Sequence, residues 1–237
     1  MKKVSVEDAF WEIFPEAQIN ILVVKNIDNH VYEKNTPYFT KLLKQAAKEA
    51  EQFLGDENFS SNQVVAQWRD GFSQFKTKKG ARSSIEALLK RVSQQREFQP
   101  INPLVDIYNS ISLKYGVPSG GEDIDKIEGS LYLGKAKGGE SFLPLGAEKD
   151  APALPEEIIY YDDEGAICRC LNWREAQRTM LTEETKAAVL VIESINEEQS
   201  KRADKAVIEL KELVDAYFNS ESTIYKLSQA SAEAILE

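Results

Sequence analysis

Two apolar runs stand out along the chain, INILVVK at residues 19–25 and AAVLVIESI at residues 187–195. Each is too continuous for one face of a surface helix and short enough for a strand buried on both sides. Between them the spacing changes to that of amphipathic helices. Residues 37–54 read as a helix with Pro37 in its first turn and Gly55 beyond its end, and residues 61–75 read as a second. SSIEALLKRV, residues 83–92, reads as a third, with Ser83 and Glu86 at the separation of a capping box. A fourth starts at Asn102, whose side chain suits the first free amides. It continues with Pro103, whose missing N–H costs nothing at the first helical position. Leu104, Ile107, Tyr108 and Ile111 share one face of it and Gly116 ends it. Asp106 and Asn109 lie on its other side, as a solvated polar face or as a pair acting together.

GVPSGG, residues 116–121, reads as a turn, either a tight chain reversal or backbone brought against a ligand. The glycine-punctuated GSLYLGKAKGGESFLPLG and the sequence IIYYDDEGAICRCL, a hairpin around residues 163–165, predict strands and tight turns. NWREAQRTMLTEETK has no sustained period, and from residue 196 the pattern predicts one or two helices. Helices with a mixed or antiparallel sheet make this an α+β chain. The expected organisation is one domain over residues 1–195 and a C-terminal helical extension over residues 196–237.

Length changes the picture little: 237 residues are enough for a substantial core in one large domain. Charge changes it more. The net charge is -10, but residues 1–120 hold 16 basic against 14 acidic side chains, and residues 121–237 hold 13 against 25. Between Arg69 and Arg96 there are eight basic residues and two acids, Asp70 and Glu86. That stretch is either a phosphate-binding patch or a solvated pair of basic helices. The two cysteines, Cys168 and Cys170, and the single histidine, His30, are too few for a zinc site, and the cysteine spacing suits no bridge. No metal or other cofactor is expected. With no apolar run of membrane-spanning length and no signal-peptide pattern, the expected location is the cytoplasm.

Candidate chemistry concentrates in CRCLNWREAQRTM, which sets Arg169, Asn172, Trp173, Arg174, Glu175 and Arg178 at the end of a predicted strand. Rigid scaffolds present functional groups at such ends. Arginine suits phosphate or carboxylate, Trp173 suits stacking, and Glu175 suits an ammonium group or a water. The same residues also suit a tryptophan anchoring a loop beside surface Arg–Glu pairs.

PINPLVDIYNSISLKYGVPSGGEDIDKIEG resembles a segment of the phenylalanyl-tRNA synthetase beta chain, in which a Val-Asp helix leads to a glycine-proline turn and an Ile-x-Gly strand. The likeness continues through LYLGKAKGGESF, IIYYDDEGAICRC and LTEETKAAVLVIES, over about residues 83–194, and is to the tRNA-editing domain of that enzyme. ARSSIEALLKRV preceded by QWRDGF is similar to free-standing relatives of this domain. The resemblance implies an editing-domain fold and hydrolysis of the ester of a mischarged aminoacyl-tRNA, not an aminoacyl-tRNA ligase activity. Asp106, Asn109, Gly116, Pro118 and Asp123 match the family pattern. Glu175 falls near the glutamate of the editing pocket and is the catalytic candidate. Ser119, Gly120, Gly121, Asn172 and Trp173 are the implied pocket, and Lys76, Lys78, Lys79, Arg82, Arg169 and Arg174 the implied tRNA contacts. The implied partner is an aminoacylated tRNA. The family's histidine is replaced within SGG, most naturally by Gly120. That departure keeps a second reading open, a non-catalytic module binding tRNA, another RNA or an amino-acid-like ligand.

Overall fold

The computed structural model describes residues 1–237. Ten strands form two sheets. They are β1 (Lys3–Val6), β2 (Gln18–Lys25), β3 (Ser119–Asp123), β4 (Leu131–Lys135), β5 (Ile158–Tyr161), β6 (Ala166–Arg169), β7 (Arg174–Glu175), β8 (Ala187–Ser194), β9 (Thr223–Leu227) and β10 (Glu233–Ile235). Six helices accompany them: α1 (Asp8–Ile13), α2 (Thr36–Ala50), α3 (Gln63–Ser73), α4 (Ser84–Ser93), α5 (Pro103–Tyr115) and α6 (Glu197–Phe218). The fold class is α+β, as the sequence pattern implies.

The four-stranded sheet runs β3-β8-β2-β9 and is antiparallel throughout. Its central strands are the two apolar runs, and their continuity has a physical cause. Ile19, Ile21, Val189 and Val191 face a core shared with the second sheet, while Leu22, Val24, Leu190 and Ile192 face a layer of helices. A strand covered on both faces favours apolar residues at successive positions rather than an apolar–polar alternation. The second sheet runs β10-β1-β4-β5-β6-β7, with a parallel pair only at β1 and β4. Val4, Val6, Leu131, Leu133, Ile158 and Ile167 supply its side of the inter-sheet core, which Phe10, Trp11, Val65, Trp68, Ile85 and Leu89 of the helices close.

On the far face of the four-stranded sheet, Leu104, Ile107 and Ile111 of α5 pack with Ala203, Ala206 and Leu210 of α6. The start of α5 is as read: Asn102 Oδ1 accepts from Val105 N–H at 3.1 Å, and Gly116 ends the helix with φ 62°. On its polar side Asp106 is not solvated, being 1% exposed and accepting from Ile101 N–H at 2.9 Å, whereas Asn109 is half-buried.

Three expectations are corrected. Residues 119–123 form an edge strand paired with β8, because the two consecutive glycines let the backbone lie flat against it. The chain after Phe218 leaves the helix at Asn219, φ 50°, and forms two strands. β9 pairs with β2 and β10 with β1, so this segment extends both sheets. The capping box of α4 does not form. Glu86 binds Arg69 through three N–H···O contacts of 2.7 to 3.2 Å, and the Ser83 side chain caps nothing. An ionic partner for Glu86 outcompetes a neutral backbone N–H.

Candidate functional site

A cavity of about 390 Å³ is lined by residues of both sheets. Gly120 and Glu122 of β3 with Val191 and Glu193 of β8 form one wall, and Leu131, Tyr160 and Cys168 of the other sheet form the opposite one. Asn172, Trp173, Arg174 and Glu175 close the rim with Ser84 and Leu145. Of the residues singled out in the sequence, Ser119, Gly120, Gly121, Asn172, Trp173, Arg174 and Glu175 all line this one space. Ser119 lies opposite Ile192 in the register, so its side chain shares the helix-layer face and its neighbour Gly120 takes the cavity face.

The two glycines answer to different constraints. A β-carbon on Gly120 would reach 3.2 Å from Glu175 Oε1, on the cavity side. A β-carbon on Gly121 would overlap Leu190 Cδ2 and stand 3.0 Å from Leu181 Cδ1, on the core side. Position 120 thus sets the width of the cavity, and position 121 lets β3 approach the sheet.

Three carboxylates meet here, and only Glu175 was visible as a candidate in the sequence. Burial raises Glu175 to about 7, opposed by the Gly121 backbone amide. Burial raises Glu193 to about 8, although the Tyr160 hydroxyl donates to its Oε1 at 3.1 Å and pulls the other way. Glu122 stands well above the ordinary carboxylate range, from burial first and then from the charge of Glu175. The Cys168 thiol is pushed up by burial and by the same charge, which leaves it protonated and a poor nucleophile. Glu122 Oε2, Glu193 Oε2, Asn172 Nδ2 and Ser84 Oγ have no hydrogen-bond partner. Unused hydrogen-bonding capacity on cavity-lining residues is what a site for a polar ligand requires. A signal for Glu193 did exist in the sequence, since it is the one charge inside the AAVLVIES run.

Lys76, Lys78, Lys79 and Arg82 are exposed in the loop between α3 and α4, and the only ion pair among residues 69–96 is Arg69–Glu86. This loop leads into Ser84, whose N–H donates to Asn172 Oδ1 at 3.3 Å, and so it adjoins the cavity rim. Arg174 is exposed there, its guanidinium 5.0 Å from the centre of the Trp173 ring. Arg169 is a correction. It is 1% exposed, donates to both oxygens of Glu157 at 2.5 and 2.8 Å and to Ala151 O at 2.6 Å, and has no path to a phosphate. Arg178 is likewise committed to both oxygens of Asp162, at 2.7 and 2.9 Å. Asp123 accepts from the Thr185 hydroxyl at 2.8 Å and from Asp125 N–H at 3.1 Å, a structural role in the turn after β3. His30 lies outside the cavity, exposed and paired with Asp28. No group of three or more His, Cys, Asp or Glu side chains is arranged to hold a metal ion, and no helix is long and apolar enough to cross a membrane.

The chain is 36% identical over 69 residues to the phenylalanine–tRNA ligase beta subunit of Cutibacterium acnes, a stretch that is 29% of this chain and 8% of that protein. It is 28% identical over 138 residues to the corresponding subunit of Fusobacterium nucleatum, 57% of this chain and 17% of that one. The matched stretches are thus a small part of those relatives. Among solved structures, an N-terminal fragment of the phenylalanyl-tRNA synthetase beta-subunit from Pyrococcus horikoshii is similar at 14% identity and a TM-score of 0.49. That alignment covers 95% of this chain and 54% of the fragment. A family model described as the B3/4 domain matches residues 67–235, a span that carries the basic loop and every residue lining the cavity, and the chain therefore belongs to the B3/4 domain family.

Proposed function

We propose that this chain binds the aminoacyl end of a tRNA and hydrolyses the ester of a mischarged species, acting in trans. The observation that carries the reading is Glu175, a carboxylate raised to about 7, set across a narrow gap from side-chain-free Gly120. A general base works best when its pKa lies near the operating pH, and an aminoacyl ester is already reactive enough to need only a positioned, activated water. In this reading Glu175 takes the proton of that water as its oxygen attacks the ester carbonyl. The tetrahedral intermediate then collapses as the ester C–O bond breaks and the proton held by Glu175 passes to the departing oxygen, which leaves as the ribose hydroxyl. Glu122 beside it receives the α-ammonium group of the substrate. Trp173 and Arg174 at the rim meet the terminal nucleotide, and Lys76, Lys78, Lys79 and Arg82 meet backbone phosphates. The relatives' names, phenylalanine–tRNA ligase beta subunits, support a tRNA-related role.

The test is a panel of correctly and incorrectly charged tRNAs, with loss of the aminoacyl ester followed for the wild type and Glu175→Gln. The expected result is release from a mischarged species, rising with pH through about 7 and lost in the variant. One observation favours a second reading. Gly120 stands where the resemblance expects a histidine, and His30 lies elsewhere. Salt-sensitive tRNA binding with no ester loss across the panel would select a non-catalytic binding module.

A further inference from the structure

The geometry points to a second binding site, for a phosphate group, in the pocket between α3 and α4. This pocket has a volume of about 360 Å³ and shares no residue with the cavity that holds Glu175. Trp68 and Arg69 line it from α3, and Arg82, Ser83 and Glu86 line it from the loop before α4 and from the first turn of that helix. Two of these side chains are buried donors with nothing to donate to. Trp68 and Ser83 are each 1% exposed, and neither Trp68 Nε1 nor Ser83 Oγ has a hydrogen-bond partner. An indole N–H can only donate, so what it lacks is an acceptor. Leaving both groups unpaired costs stability, a cost that a bound ligand with acceptor atoms removes.

The start of α4 adds further donors. The Ser84 N–H goes to Asn172 Oδ1, whereas the Ile85 and Glu86 N–H groups have no acceptor. The N-terminal end of this ten-residue helix also carries partial positive charge. Arg82 is exposed and makes no ion pair, while Arg69 uses Nε and Nη2 on Glu86 and keeps Nη1 free. Glu86 is the one carboxylate of the lining, and that pairing neutralises it, so the pocket as a whole is positive. Donors approach from α3, from the loop and from α4. A tetrahedral phosphate presents oxygens in several directions at once and so meets them all, as a planar carboxylate does not. Position indicates the source of the phosphate. Ser83 lines this pocket and the next residue, Ser84, lines the cavity, so the two spaces meet at the start of α4. A tRNA whose aminoacyl end enters the cavity brings backbone phosphates past that point. Only this choice of source rests on the function proposed above; the phosphate chemistry stands without it.

The experiment follows the Trp68 indole N–H resonance of the intact, isotope-labelled protein as inorganic phosphate or uncharged tRNA is added at constant ionic strength. Trp11, which lines neither pocket, supplies the reference resonance. Filter binding of the same tRNA is measured for the wild type, Ser83→Ala and Lys78→Ala. Both additions are expected to shift Trp68 and not Trp11. Ser83→Ala removes a hydroxyl but no charge, so it is expected to weaken tRNA binding about tenfold and to leave its salt dependence unchanged. Lys78→Ala is expected to flatten the salt dependence while the Trp68 shift persists. No Trp68 shift with either addition overturns the inference, and that result does not depend on any variant folding. A shift with phosphate alone, while tRNA binds without one, keeps the phosphate site and overturns tRNA as its source. Binding of tRNA with no Trp68 shift and with full affinity in Ser83→Ala removes the site and leaves the tRNA-related reading standing. A phosphate shift without any tRNA binding does the opposite.

Discussion

Gly120 and Glu175 face each other across the cavity so closely that a single added methyl on the glycine would stand 3.2 Å from Glu175 Oε1. Its neighbour Gly121 is more tightly confined, against Leu190, Leu181 and the backbone oxygen of Val189 instead. The same dipeptide thus serves chemistry on one face of β3 and packing on the other.

This separation makes the two alanine variants differ in kind. Gly120→Ala meets only the mobile end of a glutamate and places alanine in a strand, so its stability is expected to stay within about 0.5 kcal/mol of the wild type. Ligand affinity and ester hydrolysis should fall, because the methyl displaces the carboxylate by a few tenths of an ångström. Gly121→Ala overpacks the face of Leu190 and should cost about 1–3 kcal/mol. Denaturant midpoints and ester-release kinetics on both variants check this, and equal destabilisation of the two would contradict the division of roles.

The basic residues divide in the same way. Lys78→Ala, Lys79→Ala and Arg82→Ala remove exposed, unpaired charges, so each should weaken tRNA binding and flatten its salt dependence without altering the melting temperature. Arg169→Ala strands Glu157, which is 0% exposed, and should destabilise the fold by about 3–5 kcal/mol. Filter binding at two salt concentrations alongside thermal melts separates the classes. A surface role for Arg169 would appear as lost affinity with an unchanged melt.

Much of this arrangement was legible in the sequence where local physics is decisive. The two central strands announce themselves because burial on both faces leaves a largely apolar run in which Asn20 and Glu193 are exceptions, and α5 because Asn102, Pro103 and Gly116 act within one turn of their own positions. The rim residues Asn172, Trp173 and Glu175 were also legible, as polar groups following a strand. Illegible features depend on partners distant in the chain. Ser83 and Glu86 have the spacing of a capping box, yet Arg69, 17 residues away, takes the glutamate. Residues 119–121 look like a turn until β8 is known to lie beside them. Arg169 resembles a free cation because Glu157 reaches it only through the fold. The acidic floor of the cavity needs three separate strands to come together, β3, β7 and β8, and no single stretch contains it.

That acidic floor should make the fold less stable as pH rises. A glutamate in the unfolded chain releases its proton near 4.5, whereas burial holds the proton on Glu193 up to about 8 in the folded protein. Between those values the folded state binds the extra proton, so stability is greatest below about 4.5 and declines through this window until Glu193 ionises. The slope is about 1.4 kcal/mol per pH unit for each such group as an upper limit. Glu175, raised to about 7, adds to it over a narrower range, and less strongly because it keeps contact with the open cavity. Glu193→Gln cannot titrate, keeps an acceptor for the Tyr160 hydroxyl and fills nearly the same volume. It should therefore show a flatter profile and exceed the wild type in stability at pH 8 by more than at pH 5. Urea midpoints at pH 5, 6.5 and 8 test this. Parallel profiles for the two proteins would mean that Glu193 ionises in the ordinary carboxylate range, solvated by water entering from the cavity.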